Sequence, residues 1–151
     1  MDRDRKKYLN ELERVHRRIK GLFRELEPII EAGKVEDITS LRRGLNSLEA
    51  ELVAHVRSED EVFYRDLREG AVRKAQEALI PALDLFMDSM NEVSGRAVHF
   101  FERYGDDREI LADTAGFVLM LKGLREDILR RIESEEGSLF YIYRAYFFDK
   151  P

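Results

Sequence analysis

The length of 151 residues predicts a single domain spanning residues 1–151, and a composition of 44% hydrophobic and 38% charged residues, with nine glycines and three prolines, favours long amphipathic helices. The sequence has no cysteine, which excludes disulfides and thiolate metal sites, and its 31 acidic against 26 basic residues disfavour nucleic acid as a partner. The charged N-terminal segment carries neither a signal-peptide pattern nor a membrane-spanning run, so we expect a cytoplasmic protein without a membrane partner.

The first two predicted helices cover about half of the chain. Helix one is predicted over residues 3–32, where apolar residues recur at alternating spacings of three and four from Tyr8 to Ile29. Pro28 is expected to kink this helix or to loosen its last turn. Helix two is predicted over residues 37–70, because side chains suited to an N-cap precede its apolar pattern and Gly70 suits its C-terminus.

The second half of the chain predicts two more helices. Helix three runs from Leu79 to Tyr104, with a short lead-in segment before Pro81, and helix four follows Gly105 and runs to about Phe147. Short connections between long helices force neighbours to be antiparallel. The predicted fold is therefore all-α, an antiparallel up-down-up-down four-helix bundle.

Two segments of the predicted helices match each other. His55 and Glu59 in helix two correspond to Arg131 and Glu135 in helix four, and in both segments a second acid and an apolar-aromatic pair follow the glutamate. A spacing of four residues places the two side chains on one face of a helix. This arrangement is typical of residues that bind a metal ion together.

These segments resemble the hemerythrin-like (HHE cation-binding) family, and the resemblance covers essentially the whole chain. Domains of that family carry a lone histidine on helices one and three and a His-x-x-x-Glu or Asp motif on helices two and four. His16, His55 and Glu59 match three of these positions, and Glu135 matches the fourth-helix carboxylate. The resemblance implies a four-helix bundle that binds non-haem iron or another transition metal, with a role in oxygen or iron sensing or handling.

Two positions depart from the family pattern. Arg131 stands where the fourth-helix histidine is expected, and the third-helix histidine is absent. The separation of His16 and His55, applied backwards from Arg131, points to Glu92 as the nearest candidate on helix three, with Asp88 next. Imidazole and carboxylate groups suit iron, manganese or zinc, whereas a guanidinium is never a ligand and repels a cation. The candidate metal ligands are His16, His55, Glu59, Glu135 and Glu92, and they allow one ion, two ions or none.

An alternative interpretation needs no metal. Arg131 is a planar, permanently charged donor that can pair the carboxylates of Glu59 and Glu135 in a buried salt-bridge network. The chain would then be a degenerate family member that acts as an interaction or regulatory module. We predict no enzymatic activity, because the sequence has no phosphate-binding loop or nucleophile motif, and the Glu-x-x-His pattern that ferritin-like oxidases need twice occurs once, at Glu13 and His16.

The C-terminal segment is unusually aromatic between Tyr141 and Phe148. These rings either fold back onto the end of the bundle or form a surface for a homodimer or another protein partner. His99 is out of register with the other histidines, and we interpret it as an ordinary surface residue.

Overall fold

The computed structural model describes residues 2–148, which are helical throughout except for the connections and contain no strand within that range. The prediction of an all-α fold is confirmed. No helix in the described part of the chain is both long and apolar enough to cross a membrane. The helices are α1 (Asp2–Ala32), α2 (Ile38–Ser58), α3 (Tyr64–Arg73), α4 (Ile80–Arg103), α5 (Asp107–Ala112), α6 (Thr114–Ser134) and α7 (Phe140–Phe147).

Two π-helical turns make longer segments out of these helices. The turn Glu59–Phe63 joins α2 to α3, and the turn Glu135–Leu139 joins α6 to α7. Each pair is therefore one continuous helical segment. The sequence predicted these two segments as uninterrupted α-helices and gave no sign of the wider turns.

Aspartate side chains set where the helices begin. Asp37 precedes α2, and its carboxylate accepts a hydrogen bond from the backbone N–H of Ser40 at 3.1 Å. Asp113 caps α6 in the same way through the N–H of Gly116, also at 3.1 Å. This second cap separates the short helix α5 from α6, so the helix predicted to follow Gly105 is divided into two at Asp113.

Gly70 does not end a helix as the sequence predicted, since α3 continues past it to Arg73. A β-carbon at Gly70 would lie 2.5 Å from Cδ2 of Tyr146, a buried ring of α7. The glycine is needed there because the two helices approach each other closely. In contrast, Gly33 has a φ of 69° and does end α1, as predicted.

Contacts between the long segments show their relative directions. Tyr8, early in α1, donates a hydrogen bond to the carbonyl oxygen of Ser58 at the end of α2 at 3.0 Å. The segment α6–α7 runs opposite to α1, and α4 runs opposite to both α3 and α6. Two ion pairs show the first relation, Arg125 with Glu27 (3.8 Å) and Arg144 with Glu13 (3.0 Å). On α4, the earlier residue Phe86 contacts Arg131, whereas the later residue Arg96 pairs with Asp127 (2.8 Å). Arg68 of α3 pairs with Asp84 of α4 across the short connection between these two helices.

The buried residues form two hydrophobic clusters, one toward each end of the long helices. On α1, Leu9 and Leu12 belong to one cluster and Ile19 begins the other, with His16 buried between them. At two positions of α1 the buried residue lies one place later than predicted, since Leu9 and His16 are buried whereas Tyr8 and Val15 are only partly buried. This one-residue shift brings His16 into the interior.

The aromatic rings of the C-terminal segment mostly fold back into the protein. Tyr143, Tyr146 and Phe147 are buried in the cluster that contains Leu9, whereas Tyr141 is 74% exposed. A partner surface on this segment, as the sequence suggested, would therefore depend on Tyr141.

Candidate metal centre

Four of the predicted ligands meet between the two hydrophobic clusters. His16 comes from α1, His55 from the end of α2, and Glu59 and Glu135 are the first residues of the two π-helical turns. Their exposed fractions are 0%, 4%, 0% and 0% respectively. One ligand atom from each residue lies within 4.8 Å of those from the other three.

The two π-helical turns lie at the buried glutamates, Glu59 and Glu135. In each turn the backbone hydrogen bond spans five residues, from the N–H of Tyr64 to the carbonyl oxygen of Glu59 and from the N–H of Phe140 to that of Glu135. Turns of this kind are rare in proteins as a whole, but those that occur are often found at functional sites. The extra residue in the turn changes the direction of the neighbouring side chains. Both long segments therefore carry the same local distortion at the buried carboxylate.

The separations between the four groups suit a single ion. Nε2 of His16 lies 3.1 Å from Nε2 of His55 and 3.2 Å from Oε1 of Glu135. Nε2 of His55 lies 3.4 Å from Oε1 of Glu59 and 3.8 Å from Oε1 of Glu135. Ligands about 2.0–2.2 Å from one metal ion lie about 3.3–3.6 Å apart at tetrahedral angles. The observed separations are close to that spacing.

Glu136 orients one of the histidines. Nδ1 of His16 lies 2.9 Å from Oε2 of Glu136, whose other oxygen is 3.4 Å from Nζ of Lys20. A carboxylate accepts hydrogen bonds, so Nδ1 of His16 donates the proton and Nε2 keeps the lone pair that faces the other ligands. Metal-binding histidines in proteins are commonly held in this way by a carboxylate.

Several atoms of the site lack the partners that buried polar groups need. Within residues 2–148, both carboxylate oxygens of Glu59, Oε1 of Glu135 and Nδ1 of His55 have no hydrogen-bond partner. Leaving such groups unpaired costs about 1–3 kcal/mol each. A cation at the point where the carboxylate oxygens and imidazole nitrogens converge would satisfy the acceptors among them, so the residues fit a metal ion.

The pKa values of the two buried glutamates are shifted in opposite directions. Burial, followed by the charge of Glu135, raises the pKa of Glu59 well above its ordinary value. Burial also acts to raise the pKa of Glu135, but its close contacts with the Glu59 carboxyl and the His16 and His55 imidazoles outweigh burial and hold that pKa below its ordinary value. Without a metal, the pair therefore favours one protonated and one ionised carboxyl group.

Arg131 and Tyr64 lie beside this pair. The Arg131 side chain is 7% exposed, and its Nη2 donates to the hydroxyl of Tyr64 and to the carbonyl oxygen of Phe86. The guanidinium carbon Cζ lies 5.1 Å from the centre of the Phe86 ring. Nε of Arg131 is 3.8 Å from Oε2 of Glu135, which accepts a hydrogen bond from Tyr64 at 3.5 Å. Burial and the two glutamates raise the pKa of Tyr64, so this hydroxyl remains a donor.

The family model described as the Hemerythrin HHE cation binding domain matches residues 8–143. The chain belongs to this family. The prediction from the two matching segments is thereby confirmed, and the matched range includes every residue of the centre described above. No curated protein and no solved structure gives a significant match to the chain.

The structure does not bring Glu92 to the centre, although the sequence pointed to it as the hemerythrin ligand of helix three. Glu92 is exposed on α4. Leu83 and Val93 of α4 belong to different hydrophobic clusters, and the buried side chain between them is Met90. Glu92 is two residues from Met90, and residues two apart on a helix point to different sides. The register count failed because it assumed equal connections in both halves. His99 is exposed, as expected.

Sequence analysis missed two residues of this hemerythrin-family centre, Glu136 and Tyr64. Glu136 is the second acid of one matching segment, and Tyr64 is the aromatic residue that closes the other. Both positions were therefore visible in the repeated pattern. Their roles were not, because the pattern does not show which side chain reaches His16 or Glu135 from another helix.

Proposed function

We propose that this hemerythrin-family chain binds a transition metal, with non-haem iron as the first candidate, and that the bound metal serves oxygen or iron sensing or handling. The observation that carries the proposal is the convergence of His16, His55, Glu59 and Glu135 in a buried layer whose carboxylate oxygens lack hydrogen-bond partners within the described residues. Two imidazoles and two carboxylates form a donor set that suits iron, manganese or zinc.

Each residue of the centre has a role in this proposal. The two imidazole Nε2 atoms and the two carboxylates hold the ion, and Glu136 keeps His16 in the tautomer that can bind it. The hydrophobic clusters on both sides exclude bulk water from the layer. An iron ion held there would supply redox chemistry and open coordination positions.

The family and the contacts also support a finer description of the fold. We propose that the four long helical segments form an antiparallel up-down-up-down four-helix bundle, since the segments in contact run in opposite directions. We propose further that the chain binds and reports, and does not catalyse a reaction.

Metal analysis tests the function directly. Protein purified without chelators is offered ferrous iron under anaerobic conditions, and its metal content is measured before and after exposure to air, together with the optical spectrum. We expect stoichiometric iron in the wild type and at least about a tenfold loss of affinity in His55→Ala, because one of four ligands is removed. Wild-type protein that binds no iron, manganese or zinc would overturn the proposal.

One observation favours a second candidate function. Arg131 is buried beside Glu135 and contacts Tyr64 and Phe86, which is the geometry expected if the chain is a metal-free interaction or regulatory module. In that case the guanidinium neutralises the carboxylate pair permanently. The same metal analysis separates the two functions, since this one predicts no stoichiometric metal.

A further inference from the structure

The unpaired atoms of the centre are of two chemical kinds. Both oxygens of Glu59 and Oε1 of Glu135 are acceptors, and a cation would satisfy them. Nε of Arg131 is a donor, and it too has no hydrogen-bond partner within the described part of the chain, although the side chain is 93% buried. A metal ion cannot satisfy an N–H group, which needs an acceptor instead.

The charges of the layer limit how many metal ions it can hold. Once Glu59 and Glu135 are ionised they carry two negative charges, and Arg131 supplies one positive charge that it never loses. One divalent ion then leaves a single positive charge in a buried site, whereas a second divalent ion would leave three. Uncompensated charge is very costly at this depth. The layer therefore accommodates one divalent ion together with one negative charge from outside the protein.

We propose that the Arg131 guanidinium takes the place of a second metal ion, so that the centre holds one divalent cation whose coordination is completed by a small monoanion bound to Arg131 and Tyr64. This inference rests on the proposed metal-binding function and names the ligand class that goes with it.

The positions of the two donors support this arrangement. Nε of Arg131 lies 3.8 Å from Oε2 of Glu135, and the Tyr64 hydroxyl lies 3.5 Å from the same oxygen, so both donors face the ligand carboxylate at distances longer than strong hydrogen bonds. An anion attached to the metal beside Glu135 would give them a closer acceptor. Met90 is the fully buried residue that α4 places between the two clusters, so α4 offers the ion no charged ligand at this level.

Cobalt(II) is a suitable probe because its visible absorption changes strongly with coordination number. Wild-type protein is titrated with Co²⁺ to determine stoichiometry, and the loaded protein is then titrated with sodium azide at constant ionic strength. We expect one Co²⁺ per chain and a saturable spectral change with azide. Arg131→Met should still bind Co²⁺ but should bind azide at least about tenfold more weakly, because a charge-assisted donor is lost.

Two further variants keep the test informative if Arg131→Met does not fold. Tyr64→Phe removes one donor and should weaken azide binding without changing the Co²⁺ stoichiometry, and Arg131→Lys should retain part of the azide affinity because it keeps the charge. Arg130→Met is the matched control, since it removes the same charge from an exposed neighbouring position and should change neither titration.

The outcomes separate this inference from the function on which it rests. Two Co²⁺ ions per wild-type chain, or azide binding of equal strength in the wild type and the Arg131 and Tyr64 variants, would overturn the inference and leave metal binding intact. Wild-type protein that takes up no metal would overturn both.

Discussion

Glu59 has the least satisfied side chain of the buried layer, since neither of its carboxylate oxygens has a hydrogen-bond partner within residues 2–148. Its pKa is raised well above 4.5 by burial and by Glu135, so the folded protein holds this proton more tightly than the unfolded chain does. Glu59 therefore contributes stability to the metal-free wild type that is fully present below the ordinary glutamate pKa and is lost as the pH rises through the folded value.

Replacing Glu59 should stabilise the metal-free protein and impair the metal centre. At pH 7 with a chelator present, we expect the free energy of unfolding of Glu59→Gln to exceed that of the wild type by about 1–3 kcal/mol, from urea denaturation. The gain should shrink as the pH approaches about 4, where the wild-type carboxyl is protonated in both states. Glu135→Gln is the contrasting control and should show no gain, because the pKa of Glu135 is lowered.

Arg131 allows a second prediction at the residue scale. Arg131→Ala should lower the free energy of unfolding of the metal-free protein by about 3–5 kcal/mol, because it leaves buried negative charge without a partner. Arg130→Ala, at the exposed neighbouring position, should stay within about 0.5 kcal/mol of the wild type. A neutral effect of Arg131→Ala in denaturant titrations would count against the salt-bridge network.

The sequence predicted individual residues well where a helical spacing linked them. His55 with Glu59, and Arg131 with Glu135, are pairs within one helix, and the structure brings all four to one buried layer. Glu92 was placed by counting across connections, and the structure leaves it exposed. Spacing within a helix fixes a face, whereas the register between helices depends on packing that a sequence does not display.

At the scale of helices, two glycines should respond to alanine in opposite ways. A β-carbon at Gly95 on α4 would meet nothing within 4 Å in the described structure, so Gly95→Ala should raise the free energy of unfolding by about 0.5–1 kcal/mol through reduced backbone entropy. At Gly70 the same atom would press on the buried Tyr146 ring, so Gly70→Ala should cost about 1–3 kcal/mol. Thermal or chemical unfolding curves of both variants check the pair, and a gain at Gly70 would show that α7 moves freely.

Helix ends were predictable where a single residue sets them. Gly33 ends α1 with a positive φ, and the Asp37 carboxylate caps the start of α2, so these two residues delimit the first connection. The two π-helical turns were not predictable, because the residues from Glu59 to Phe63 fit an α-helical pattern equally well. Each wider turn begins at a glutamate that meets side chains of other helices in the buried layer, and a spacing pattern within one helix does not display such contacts.

For the molecule as a whole, metal binding should stabilise the fold by mass action. At a free metal concentration of about 100 times the dissociation constant, the gain should be about 2.7 kcal/mol, because the ion binds the folded state only. The melting temperature should rise with Zn²⁺ or Co²⁺ and fall again with a chelator. His55→Ala should show no such shift at the same concentration, and a shift of wild-type size in that variant would place the ion elsewhere.

The all-α architecture and the family were both predictable from the whole sequence, since long amphipathic patterns and the two matching segments extend over most of the chain. The number of metal ions that we propose was not. It depends on how deeply Arg131 is buried and on which of its donors lack partners, and these facts exist only in three dimensions.

The buried polar layer also separates the hydrophobic interior into two clusters, and each long segment passes through both. Without an ion, several polar atoms of this layer have no partner, so we expect the end that contains Phe63 and Tyr143 and the end that contains Phe100 and Phe117 to open separately. An ion bound by α1, α2 and the two π-helical turns would tie these halves into one cooperative unit. Amide hydrogen exchange would then show two protection levels without metal and a single level with it.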